Sequence, residues 1–103
     1  MIEPTYRGLP IVTAQTRKGQ RNVLDELSLH SLDVWNVKFI VEKGYACSRS
    51  KRRKDVIERC INKGAKTFKV VIQRGYLEHI SCECWEIIHV GSFTRRKNHE
   101  RYI

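Results

Sequence analysis

Val56-Ile57-Glu58-Arg59-Cys60-Ile61-Asn62-Lys63-Gly64-Ala65-Lys66-Thr67-Phe68-Lys69-Val70-Val71-Ile72-Gln73 carries the choice between two architectures. Its second half predicts a strand: Phe68, Val70 and Ile72 alternate with polar or smaller residues and share one face. Its first half reads two ways. Val56, Ile57, Cys60 and Ile61 fall at i, i+1, i+4 and i+5, a helical stripe that periodicity alone slightly favours. The same residues make a strand if Asn62-Lys63-Gly64-Ala65 is a four-residue hairpin loop returning to Lys66.

Downstream, 75–81 reads as a connection and Trp85–Val90 as a further strand. Trp85, Ile87 and His89 should lie on one face, and Glu86, Ile88 and Val90 on the other. Thr94 onward is polar and basic and reads as a tail. Upstream, the β-branched content of Ser31 to Lys43 would suit a strand, but its end signals and twelve-residue length predict a helix. Ser31 stands as N-cap, Asp33 lies in the first turn where a negative charge suits the dipole, and Gly44 sits at C′. Arg17 to Leu27 predicts another helix, with Val23, Leu24 and Leu27 as its apolar stripe. Residues 1–12 read as an extended lead-in, because Pro4, Gly8 and Pro10 oppose a helix.

The 103 residues set the scale of a single domain, 1–103, with lead-in 1–12 and basic tail 94–103. Apolar residues at 41% support a modest core and exclude a disordered chain. No apolar run reaches the roughly 18 residues of a membrane span, so no membrane role is expected. Met1-Ile2-Glu3-Pro4 lacks the basic and apolar regions of a signal peptide, and a cytoplasmic location is expected.

The formal charge of +9 is unevenly placed. Residues 1–43 hold six basic and five acidic side chains, and residues 44–103 hold fourteen and six, so the second part carries +8. Such a one-sided field concentrates polyanions, which makes nucleic acid the expected partner. A solvated surface, or an acidic protein partner, is the alternative. The densest feature is Arg49-Ser50-Lys51-Arg52-Arg53-Lys54, preceded by Tyr45, which can stack on a base. Arg95, Arg96 and Lys97, with Arg101, form a second cluster.

His89, at a strand end in a basic chain, is the candidate general acid or base, since its unperturbed pKa lies near neutrality. The plain alternative is a hydrogen-bonded structural histidine. No metal or other cofactor is expected. Cys82, Cys84, His79 and Cys47 offer the minor zinc alternative, but paired Cys-x-x-Cys knuckles are missing.

The order of these segments resembles the small RelE-like toxin fold, and more closely a domain-of-unknown-function family placed beside those toxins. Thr13-Ala14-Gln15-Thr16-Arg17 matches the Ala and Arg of that family's His-Ala-x-x-Arg motif, with Thr13 at the histidine position. Ser31-Leu32-Asp33-Val34 and Gly44-Tyr45 match its second helix and exit. Val70-Val71-Ile72 and Trp85-Glu86-Ile87-Ile88-His89-Val90 match its strands. The resemblance covers residues 11 to 93. It implies an α+β domain, with two N-terminal helices packed on a three- to four-stranded antiparallel sheet, and makes Val56–Ile61 the first strand of a hairpin. It implies an RNA-binding protein, RNA ahead of DNA, with metal-independent endoribonuclease activity as in a toxin–antitoxin pair and an acidic antitoxin-like partner. His89, Arg17 and Arg49 would then be the catalytic set. Tyr45, Arg49, Lys51, Arg52, Arg53, Lys54, Arg95, Arg96 and Lys97 would bind RNA. The alternatives are a non-catalytic nucleic-acid-binding module and an interaction protein whose basic face docks an acidic partner.

Overall fold

A computed structural model describes residues 4–14, 16–46 and 54–94. Strand β1 (Thr5–Tyr6) turns through Arg7 and Gly8 into β2 (Leu9–Thr13). Helices α1 (Arg17–Leu29) and α2 (Val34–Lys43) follow, then β3 (Tyr45–Ala46), β4 (Val56–Lys63), β5 (Lys66–Leu77), a 3-10 turn (Glu78–Ile80) and β6 (Cys82–Thr94).

Each helix begins where a side chain satisfies a free N–H. Thr16 Oγ1 accepts from Gly19 N at 3.1 Å. In α2 the N-cap is Asp33, whose carboxylate accepts from Asn36 N at 2.9 Å while Asn36 Oδ1 accepts from Asp33 N at 2.8 Å. That reciprocal box displaces the expected cap: Ser31 lies before the helix, in a left-handed conformation at φ 55°. Val23 and Leu27 of α1, and Val37, Ile40 and Val41 of α2, are the buried stripes. They share one core with Val70, Ile72, Trp85 and Ile87 of the sheet.

The six strands run β1-β2-β6-β5-β4-β3, with β2 parallel to β6 and every other pair antiparallel. This overturns the expected antiparallel sheet of three or four strands. The lead-in supplies two strands rather than none. Its β-branched Ile11-Val12-Thr13 pairs with Trp85, Glu86 and Ile87, a β6 edge that would otherwise leave its amides unpaired beside the core. At the far side Tyr45 and Ala46 pair with Cys60 and Arg59.

Val56–Lys63 is a strand and not a helix, paired residue for residue with β5 from Val56↔Gln73 to Lys63↔Lys66. Its turn is shorter than the four-residue loop expected. Only Gly64 and Ala65 lie between the strands, and Gly64 takes φ 61°, which a β-carbon would oppose.

The alternation expected for β6 breaks once. Val71 pairs with His89 but Ile72 pairs with Ile87, so Ile88 is an extra residue in a bulge. Trp85, Ile87 and Val90 are therefore the buried series, and His89 is exposed rather than a companion of Trp85 and Ile87. Among the described residues no helix is long and apolar enough to cross a membrane.

Candidate nucleic-acid interface

The sheet brings together at one end residues far apart in sequence. The β1–β2 turn places Arg7 there, β4 begins there after Lys54 and Asp55, and β5 passes through Arg74 opposite Trp85. A cleft of about 280 Å³ opens among Arg7, Asp55, Arg74 and Trp85, with Leu9, Val56 and Ile57 as its apolar lining.

Stacked rings and cations form one flank. Trp85 is 3% exposed and donates its indole N–H to Tyr6 O at 3.0 Å. The Tyr6 ring meets it edge-on, 5.8 Å between centroids. Arg7 lies over Tyr6 at 5.0 Å, and Arg74 over Trp85 at 5.4 Å. In each contact the ring's negative face attracts the guanidinium. The effect is to hold two guanidinium groups at fixed places. Arg74 is further oriented by Glu83, with which it forms a charge-assisted hydrogen bond. That bond raises the arginine's already high pKa, so the group is cationic throughout. Arg74 Nε is shielded from solvent and has no acceptor among the described residues. Asp55 sits in a left-handed turn at φ 62°, its carbonyl accepting from Arg74 N at 2.9 Å.

Lys54, exposed, is the described member of the basic run and directly precedes Asp55. Arg49, Lys51, Arg52, Arg53, Arg95, Arg96, Lys97 and Cys47 lie outside the described residues. The two basic clusters nevertheless attach to opposite ends of the sheet. The run joins it just before Val56, which pairs with Gln73, and the tail follows Thr94, which pairs with Lys66. From Gln73 to Lys66 is seven residues of strand, about 23 Å. Tyr45 is exposed on edge strand β3, its hydroxyl donating to Asn62 Oδ1 at 2.8 Å, which also accepts from Thr67 Oγ1 at 2.8 Å.

Of the expected catalytic set, Arg49 lies outside the described residues, and Arg17 and His89 stand apart. Arg17 is the first residue of α1, whereas His89 meets that helix at Glu26, nine residues on. At 1.5 Å per residue this separates them by roughly 13 Å along the helix axis. What His89 does have is a carboxylate. Glu26 Oε1 accepts from Val90 N at 2.8 Å, capping a β6 amide beyond the end of β2, and Glu26 Oε2 lies 3.4 Å from His89 Nδ1. Nε2 lies over Gly91, where a β-carbon would come within 3.2 Å of it. A carboxylate on one ring nitrogen fixes the imidazole's orientation and leaves the other for proton exchange. His30, at the end of α1, instead binds Ser92 Oγ at 2.9 Å.

Cys82 and Cys84 are free thiols. Cys84 is fully buried, and burial pushes its thiol pKa up, away from the thiolate a metal needs. His79 is exposed in the 3-10 turn, and Cys82 donates to Glu83 O at 3.1 Å. Among the described residues no three His, Cys, Asp or Glu side chains converge to hold a metal ion.

A larger groove of about 630 Å³ lies toward the Gly64 end, floored by Leu32, Ile61 and Phe68, with Lys63 as its cation. The Arg7–Arg74 cleft is the more polar of the two, and its wall residue Asp55 directly follows Lys54 in the chain. Sequence reasoning passed over its members. One signal was present: Arg74 continues the Phe68, Val70, Ile72 alternation, which puts a guanidinium on the face that buries apolar side chains. Arg7 and Trp85 carried no such mark, since their meeting depends on a parallel pairing across the chain.

No protein-family model, curated protein or solved structure matches this chain.

Proposed function

We propose that this protein binds RNA, at the sheet end where Arg7, Lys54 and Arg74 gather. The observation that carries the reading is the convergence of two ring-stacked arginines on a cleft whose wall residue, Asp55, directly follows the basic run Arg49–Lys54. The +8 carried by residues 44–103 supplies the long-range attraction. The fixed guanidinium groups supply close contacts to phosphate or base. RNA stands ahead of DNA on the resemblance of the sequence to a ribonuclease-like family, and a cytoplasmic location belongs to the same reading.

Salt dependence tests it. Each phosphate neutralised contributes about 0.7 to the slope of log affinity against log salt for a single strand, and about 0.9 for a duplex. Changing Arg52 and Arg53 together to Ala should flatten that slope by roughly one to two units. An unchanged slope with both RNA and DNA would make the run a solvated face and refute the reading. Binding that a polyanion competitor leaves untouched would point to an acidic protein partner instead.

The His89–Glu26 pair favours a second reading, in which the bound RNA is also cut without a metal: the 2′-hydroxyl attacks the neighbouring phosphorus, the P–O5′ bond breaks, and a 2′,3′-cyclic phosphate and a protonated 5′-hydroxyl result. Nε2 of His89 would take or supply the proton while Glu26 holds Nδ1. His89→Gln should then lower cleavage of a labelled RNA by about 10²- to 10⁴-fold and leave its affinity unchanged. Cleavage by the wild type that the variant retains would remove His89 from the chemistry. A toxin role adds that expression is harmful and that an acidic protein encoded beside the gene relieves it.

A further inference from the structure

We infer that the cleft formed by Arg7, Asp55 and Arg74 accepts the guanine base of an unpaired strand. The inference rests on the RNA-binding reading and goes beyond it in naming the base.

Phosphate alone does not explain this cleft, because Asp55 lines it beside the two arginines. An anion bound there would meet a carboxylate. A ligand that suits both charges presents acceptors on one edge and donors on the next. Guanine does: O6 and N7 match an arginine fork, and N1–H with the N2 amino group match a carboxylate. Adenine offers a donor where guanine offers O6, and pyrimidines lack the N7 edge. Arg7 stacks on Tyr6 while its fork of donors stays exposed, and it is the arginine for O6 and N7. Arg74, held over Trp85, is the second cation of the cleft wall.

Size and edge together specify an unpaired strand. At about 280 Å³ the cleft lies at the lower limit of small-ligand sites, roughly 300 Å³, and holds one base at a time. Guanine N1–H and one N2 hydrogen are occupied by cytosine in a duplex, so a carboxylate reaches them only when the strand is unpaired.

The test is direct binding of fluorescent uridine heptamers whose central residue is U, A, G, inosine or 7-deazaguanine. Wild type should hold the G heptamer about 5- to 150-fold tighter than the A or U heptamer, the range of one bidentate base contact. Inosine, without the N2 amine, and 7-deazaguanine, without N7, should each lose part of that margin. Asp55→Asn should erase the G preference, so that the G, A and U heptamers bind alike. Asparagine tolerates the left-handed backbone that Asp55 adopts, so the variant should fold. Equal binding of all heptamers by wild type, or an undiminished preference in the variant, would overturn the inference and leave RNA binding intact. Failure to bind any heptamer would overturn both. Displacement of the G heptamer by free GMP at equal concentration would overturn the strand assignment.

Discussion

Trp85→Ala should destabilise the protein by about 3–5 kcal/mol, measured as a fall in the urea midpoint at unchanged m-value. The ring is 3% exposed, packs in the core with Ile11 and Ile87, and closes the parallel β2–β6 pair at Ile11↔Trp85. Truncation removes that apolar area and leaves a void beneath Tyr6. It also leaves Tyr6 O without its indole donor and Arg74 without the ring it covers. Stabilities of 5–15 kcal/mol are usual for single domains, so the variant would sit near the unfolding threshold. Trp85→Phe keeps a ring in the core and loses the hydrogen bond, and should cost only about 1–2 kcal/mol. If both variants lose under 1 kcal/mol, Trp85 is not the keystone of this end of the sheet.

Gly44→Ala should be the second most damaging single change described here, at about 1–3 kcal/mol. A β-carbon at Gly44 would stand 2.5 Å from the backbone oxygens of both Cys60 and Ile40. Neither obstacle is a side chain that can swing away. One belongs to the last turn of α2 and the other to β4, so the helix exit and the β3–β4 pair must part. Gly75→Ala is the control. Its β-carbon meets the carboxylate end of Glu86, a flexible side chain that can rotate outward, and the thermal midpoint should fall by much less. Equal losses at the two sites would show that close backbone approach at Gly44 is not what selects glycine.

Gly44 also shows how the sequence can be right about a residue and wrong about its physics. It reads as a C′ glycine, a position that usually takes left-handed backbone, yet its φ is −78° and its backbone is extended. Space, not torsion, demands glycine there. The first helix was legible because Val23 and Leu27 recur at helical spacing, and the second from its end signals and length rather than from its β-branched apolar residues. The β4–β5 hairpin was legible from Val56–Ile61 only as one of two readings. The resemblance tipped it, since a buried helix stripe and a strand share that pattern at short length.

The six-stranded sheet was not legible. Thr5–Tyr6 and Tyr45–Ala46 are two-residue strands with no periodicity to detect, and β2 contains Pro10. Nor was the bulge at Ile88, which moved His89 away from the face of Trp85. For the site, Arg7, Arg74 and the Glu26 partner of His89 come together through pairings between separate segments of the chain. Local patterning carries no information about such meetings.

The parallel contact between β2 and β6 has a consequence for the order in which the molecule assembles. Lys63 and Lys66 meet across a two-residue turn, and Leu77 meets Cys82 across one 3-10 turn, so the β4–β5–β6 meander closes through short loops. Ile11 and Trp85 are 74 positions apart. The extra chain entropy of that closure, relative to the three-residue separation at the hairpin, is on the order of 3 kcal/mol. The meander therefore nucleates and the amino-terminal strands dock late. Arg7 rides on those late strands. The cleft should thus be completed late in folding, when β1 and β2 dock on the β6 edge, and should open when they fray from it.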